Sequence, residues 1–326
     1  MNLRLAILVT SCALGSACSS DGPATTSDAG SGASADATAQ GDAGADSTVD
    51  PDGGPVGPRS CPAWPAVPDA KCTGAPAGYP LTKIDGMPTS AAGETIDGKY
   101  ITGDLQIRHD NVTVTNTRVV GHVIMNGHKG LTLRDVDIGP DACPARNNGG
   151  VRAIDGNSGY TLVRVHIQHN ADDLLAIGGP DPVVIRDSLL DRTCFYPGDH
   201  LDAVQWYDPG AVGNVVIEHS SIDARPDNDT DRGNAAVFWA DGAGAGTTLT
   251  LFHSRLAGGN VTTALYDAVA GSKVVLDVHD NVYVKGSYTV APCSFGGSIK
   301  SIAFDGTSGV KFAGNTFDDA TPVTCN

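Results

Sequence analysis

One phrase recurs from residue 111 to the end of the chain: a β-branched alternating strand, a polar corner, then a second short strand. Its copies are NVTVTNTRVVG (111–121), GLTLRDVDIG (130–139), GYTLVRVHIQ (159–168), PVVIRDSLLD (182–191), NVVIEHSSID (214–223), TLTLFHSRLA (248–257), LDVHDNVYV (276–284) and GVKFAGNTFD (309–318). With Val114, Leu133, Leu162, Ile185, Ile217, Leu251, Val278 and Phe312 as equivalents, the steps run from 19 to 34 residues. The shortest step suits one solenoid coil, and the longer ones imply insertions at the corners. Another strand lies between copies, as in HVIMNG (122–127), GVRAIDG (150–156), DLLAIGG (173–179), DAVQWYD (202–208), AAVFWAD (235–241), TALYDAV (263–269) and KSIAFDG (300–306). Three strands per coil with Gly, Asn and Asp at the corners predict an all-β fold, a single-stranded right-handed parallel β-helix of about eight coils with capped ends. Steps this short leave no room for helical crossovers, and two-residue hairpin signals are too few for a sandwich.

The first sixty residues are of another kind. Arg4, the apolar run from Leu5 and the small residues before Cys18 read as a secretory signal, too short for a stable bilayer span. The segment resembles a lipoprotein signal, with Cys18 the lipidated residue; Cys12 matches the lipobox letters better but leaves too short an apolar stretch. Residues 18–59 are almost entirely Ser, Ala, Gly, Asp, Thr and Pro, a composition that cannot offset chain entropy and predicts a disordered tether. The expected organisation is a signal at 1–17, the tether at 18–59, an N-terminal cap at 60–95 and the β-helix at 96–326.

Of the formal charge of −16, about −11 belongs to residues 60–326, which speaks against nucleic acid as a partner. Beyond the tether stand six cysteines, an even number that in an exported chain reads as three disulfides, with fifteen pairings open. The expected set is Cys61–Cys72, Cys143–Cys194 and Cys293–Cys325. The proline-rich 61–95 segment is expected to cover one end of the stack and the tail to Cys325 the other, because open strand edges need covers.

Cys61-Pro62-Ala63-Trp64-Pro65, Thr95-Ile96-Asp97-Gly98-Lys99, Asp199-His200-Leu201-Asp202-Ala203-Val204-Gln205 and Gly233-Asn234-Ala235-Ala236-Val237-Phe238 carry a resemblance to the pectate-lyase-like group of right-handed β-helix proteins. It spans about residues 60 to 326 and is most similar to small secreted bacterial members known only as β-helix repeat proteins. The resemblance implies a fold and a carbohydrate partner more firmly than a reaction. The expected setting is the cell envelope, with a monomer held to the membrane only through its N-terminal lipid.

With Val151, Leu175, Val204, Val237 and Leu265 taken as inward, the outward row reads Arg152, Ala176, Gln205, Phe238 and Tyr266. Two residues before the inward position stand Asp173 and Asp202, expected about 5 Å apart in adjacent coils, with Asp172, Asp199 and His200 beside them. Close carboxylates cannot both ionise cheaply, so one pKa rises or a cation such as Ca²⁺, held by Asp172, Asp173 and Asp202, neutralises them. The leading expectation is a uronate lyase. Arg152 or a metal would stabilise the sugar carboxylate, and His200 or Arg152 would remove the proton. Non-catalytic glycan binding through Gln205, Phe238 and Tyr266 is the alternative, followed by an inverting hydrolase using the aspartates. Asn170 to Ile177 resembles the paired-aspartate coil of polygalacturonases, but Asn148-Gly149-Gly150 stands where their third aspartate belongs, and the His-Gly and Arg-Ile-Lys motifs are missing. An aspartate opening a strand also often bonds only its own corner. His219 and His253 are expected to continue a corner ladder with Asn116, Asp135 and Asp187, and Trp206 and Trp239 to lie in the core.

If Cys18 is the lipid-bearing residue, Cys18→Ser abolishes incorporation of radiolabelled palmitate in producing cells. Undiminished labelling of the variant excludes that assignment.

Overall fold

The computed structural model describes residues 48–49, 55–56, 59–145, 152–156, 158–206, 213–229, 233–241, 248–267, 274–296, 304–305 and 309–325. The signal and Cys18 lie outside the described residues, as does most of the tether. Within the tether, Thr48–Val49 pairs antiparallel with Pro55–Val56, where composition predicts no structure; Val49 and Val56 supply the β-formers. Elsewhere the repeat strands pair in parallel, and all regular structure among the described residues is strand.

The register of the repeat follows the apolar residues. Val114, Leu133, Leu162, Ile185, Ile217, Leu251, Val278 and Phe312 are level from copy to copy, and Ile96 extends the file by one. Val114 to Val278 in that file are 0% exposed. Each such side chain contributes about 1.5–3 kcal/mol by leaving water. A one-residue slip would turn the whole file outward, so register and burial are one constraint.

Two residues after each inward position the backbone enters the left-handed region. Asn116 (φ 47°), Asp135 (56°), Arg164 (53°), Asp187 (52°), His219 (44°), His253 (52°) and Asp280 (52°) stand there, between Gly98 (61°) and Gly314 (66°). Asn, Asp and Gly tolerate this conformation best. The expected corner ladder is therefore present, His219 and His253 included.

The next residue carries the stitch. The N–H of Val165 donates to Ser188 Oγ (3.1 Å), Ser188 N–H to Ser220 Oγ (3.3 Å) and Ser220 N–H to Ser254 Oγ (3.1 Å). Ser254 N–H continues to Asn281 Oδ1 (2.9 Å) and Asn281 N–H to Asn315 Oδ1 (3.1 Å). Each serine hydroxyl donates in turn to the carbonyl two residues before it. These side chains are buried, so each replaces a water that the bent backbone would otherwise need.

A second, nine-stranded parallel ladder runs in chain order through Met87–Pro88, Leu105–Gln106, Val123–Ile124, Ile154–Asp155, Leu175–Ile177, Asp202–Trp206, Ala235–Asp241, Val261–Asp267 and Ala291–Gly296. Its last described strand is Ala291–Gly296, which the repeat reading did not include and which pairs with Val261–Asp267. The expected 300–306 strand lies outside the described residues apart from 304–305. Trp206 and Trp239 stack inside, ring centroids 4.4 Å apart.

All three expected disulfides are present. The N-terminal segment differs from an end cover. Thr82–Ile84 and Met87–Pro88 already pair with Lys99–Ile101 and Leu105–Gln106, so the stack begins inside the expected cap. The residues before them lie along the left-handed corners. Arg59 reaches Asp135 (3.4 Å), His219 Nε2 contacts the Ala66 carbonyl (2.9 Å), Trp64 stacks on His253 (5.1 Å) and Gly74 N–H donates to the Arg164 carbonyl (2.9 Å). The corner presents polar groups along its length, and the strap satisfies them. At the other end Val323 is buried against the core beside the Cys293–Cys325 bridge.

Ser220→Ala removes the acceptor for Ser188 N–H and the donor to the Glu218 carbonyl. Urea unfolding of that variant is expected to show a loss of about 1–3 kcal/mol. A loss below 0.5 kcal/mol, roughly the scatter of neutral substitutions, would show that the stitch is not a source of stability.

Candidate functional site

The expected site lies on the second ladder, and its register there decides which residues meet. Ile154, not Val151, is level with Leu175 and Val123. Val151 itself lies outside the described residues, as do Asn148, Gly149 and Gly150. Asp155 thus takes the outward place expected for Arg152. Past it the pairing runs Ala176, Gln205, Phe238 and Ala264, so Tyr266 leaves the row as well, sitting level with Ala240 two residues further along the strand. Parity is unchanged, and the half-buried Phe238 and Tyr266 rings remain neighbours with centroids 5.8 Å apart.

The shift moves Arg152 rather than losing it. Two residues before Ile154, it falls level with Asp173 and Asp202, which stand two residues before Leu175 and Val204. Its Nε lies 4.0 Å from Asp173 Oδ2 and, though buried, has no hydrogen-bond partner. The two aspartates are neighbours as expected, since Asp202 N–H donates to Asp173 Oδ1 at 3.2 Å. They are not on an accessible surface. Asp173 is 3% exposed and Asp202 0%, because both fall on the inward parity at the strand entry.

Asn234 Nδ2 donates to both oxygens of Asp202, at 2.9 and 3.2 Å, and Gln205 Nε2 reaches Oδ2 at 3.3 Å. Burial and the neighbouring Asp173 nevertheless push the Asp202 carboxyl well above the usual range, against the opposing bonds from Asn234 and the Ala235 N–H. Burial, with Asp172 close by, lifts Asp173 to about 7 despite Arg152. Asp172, half-buried at a left-handed corner (φ 58°), is also raised, by burial and then Asp199. His200 is exposed and acts on Asp172 through its charge, not on Asp202 as a hydrogen-bond partner. Asp172, Asp173 and Asp202 do not form a metal-binding group, and no three His, Cys, Asp or Glu residues do so among the described residues.

Loops at the entry end of these strands are sewn together. Cys143–Cys194 joins two of them, Asn228 bonds the backbone of Phe195 at both N–H (2.8 Å) and C=O (3.0 Å), and the Tyr196 hydroxyl donates to the Pro144 carbonyl. At the exit end lies a cavity of about 430 Å³, lined in part by Ile124, Asn126, His128, Asp155, Ser158 and Asp181. Asp155 and Asn234 are the site residues that the repeat alignment missed. The signal for Asp155 was available in the shorter connection between Ile154 and Tyr160, two residues less than that between Val123 and Leu131.

Fold and site together define an all-β protein of stacked parallel rungs with a buried acid pair and an aromatic outward face. No family model, curated protein or solved structure matches the chain.

The raised pKa of Asp173 has a definite sign in stability. Between about 3.8 and about 7 the folded chain holds a proton there that the unfolded chain releases, so this contribution is full below that range and is lost as pH rises through it. Asp173→Asn, which keeps an acceptor for the Asp202 N–H, is expected to flatten this decline in urea unfolding measured from pH 4 to 8. A variant profile parallel to the wild type over that range contradicts the assignment.

Proposed function

We propose that this chain is a right-handed parallel β-helix of the pectate-lyase-like kind, tethered at the cell envelope, that binds glycans along the outward face of its nine-stranded ladder. Parallel rungs in chain order, with no helix among the described residues, support the winding, and a right-handed sense is the one favoured for parallel connections. The observation that carries the binding reading is the pair of half-buried rings, Phe238 and Tyr266, side by side on a face that also presents Gln205 and the exposed carboxylate of Asp155. Aromatic faces flanked by hydrogen-bonding groups suit the apolar faces and hydroxyl edges of sugar rings.

A lyase or hydrolase reading stands second. In its favour, Asp173 has a carboxyl lifted to about 7, near the optimum for proton transfer at neutral pH, with Arg152 4.0 Å away. Against it, the carboxyls at 3% and 0% exposure cannot touch a polymer without local opening. A calcium-assisted step draws no support from the donor set, because among the described residues no three His, Cys, Asp or Glu side chains form a group that could hold a metal ion.

Affinity electrophoresis in gels containing soluble polysaccharides tests the binding reading. At least one polymer is expected to retard the chain, and Phe238→Ala or Tyr266→Ala to weaken that retardation about tenfold. Absorbance near 235 nm and reducing-sugar release are followed on the same polymers. Turnover abolished by Asp173→Asn would replace the binding reading with the catalytic one, and absence of retardation by any polymer removes it.

A further inference from the structure

We propose that the cavity at the exit end of the second ladder is a subsite for an amine-bearing sugar, with the Asp155 carboxylate as partner of the ammonium group. This rests on the glycan-binding reading and names its ligand class. The cavity, about 430 Å³, lies in the size range of small-molecule sites. Ile124 and Asp155 belong both to its wall and to the outward face, so a chain lying along that face passes the cavity mouth.

The wall's polar groups are mostly spoken for. Asp181 is balanced by Lys129 Nζ at 3.4 Å, and its N–H rests on Ser158 Oγ at 3.3 Å. His128 Nδ1 sits 3.0 Å from Asp110 Oδ1. The Asn126 amide nitrogen donates to the carbonyls of Ile107 (3.0 Å) and Ile124 (3.3 Å). Asp155 differs: it is exposed, and among the described residues its carboxylate has neither a hydrogen bond nor an ion pair.

What remains available is therefore an unneutralised carboxylate, the side-chain oxygen of Asn126, the Ser158 hydroxyl proton and apolar surface from Ile124. Sugar hydroxyls match the two neutral groups, and a pyranose face matches the isoleucine. A protonated amine on the ring adds a charge-assisted bond to Asp155, about twice the strength of a neutral one. A uronate would instead bring its charge against Asp155 in a chain already at −16. The cavity thus selects against the polyanions that a pectate-lyase-like fold suggests.

Calorimetric titration of the mature full-length chain with a β-1,4-linked glucosamine tetramer, its N-acetylated counterpart and a galacturonate trimer tests this. The amine-bearing tetramer is expected to bind at least tenfold more tightly than the acetylated one. Asp155→Asn brings the two within about twofold with an unchanged melting temperature, while Asp181→Asn has a smaller effect because Lys129 already balances that carboxylate. The comparison on the unaltered chain needs no variant, so a folding defect cannot obscure it. Equal binding of the two tetramers, tighter binding of the galacturonate, or no binding of these three by a chain that still binds another glycan through Phe238 overturns the subsite and leaves the face reading intact. Failure to bind any glycan overturns both.

Discussion

The structure depends on how each repeat is held to the next at its bend. A left-handed residue turns the strand, and the buried Ser or Asn after it accepts the N–H from the neighbouring repeat. Without that acceptor a buried donor would go unmet at each turn, at about 1–3 kcal/mol apiece. The bend also sets alignment, because the inward file from Val114 to Val278 can close on itself only when successive bends coincide. Hydrogen bonding and apolar burial therefore enforce the same register.

That register creates the site chemistry. Asp173 and Asp202 lie 29 positions apart in the chain and meet only because their strands stack. Stacking at the rung spacing puts like charges closer than water would permit, and the inward parity removes the water. Both carboxyls are raised as a result. Asn234, Gln205 and Arg152 soften the arrangement without reversing it. The outward side of the same strands has the opposite character, with partly exposed rings and the exposed side chain of Asp155. One ladder thus separates a buried acid pair from an exposed carboxyl by the alternation of side chains alone.

The sequence reading succeeded where the pattern is periodic and faltered where it is not. The eight inward residues, the corner with His219 and His253, the core tryptophans and the disulfide pairing were all legible. Arg152 was placed on the outward face because Val151 and Ile154 are both apolar and three residues apart, so taking the wrong one as inward reverses the parity of the strand. The strand at 291–296 was missed because Pro292 and Cys293 interrupt its apolar pattern, and pattern alone does not reveal which segment the neighbouring strand pairs with. Pro-rich 61–78 carries no periodicity, so nothing local distinguished an end cover from a strap along the corners.

By itself the sequence determined the strand period, the polarity of each position and the residues able to take a left-handed bend, because these are local properties of side chain and backbone. Only the tertiary structure decided which carboxyls are buried with raised pKa and which is left exposed at the surface. Both outcomes follow from which distant strand lies alongside, and that is set by the summed register of the whole stack.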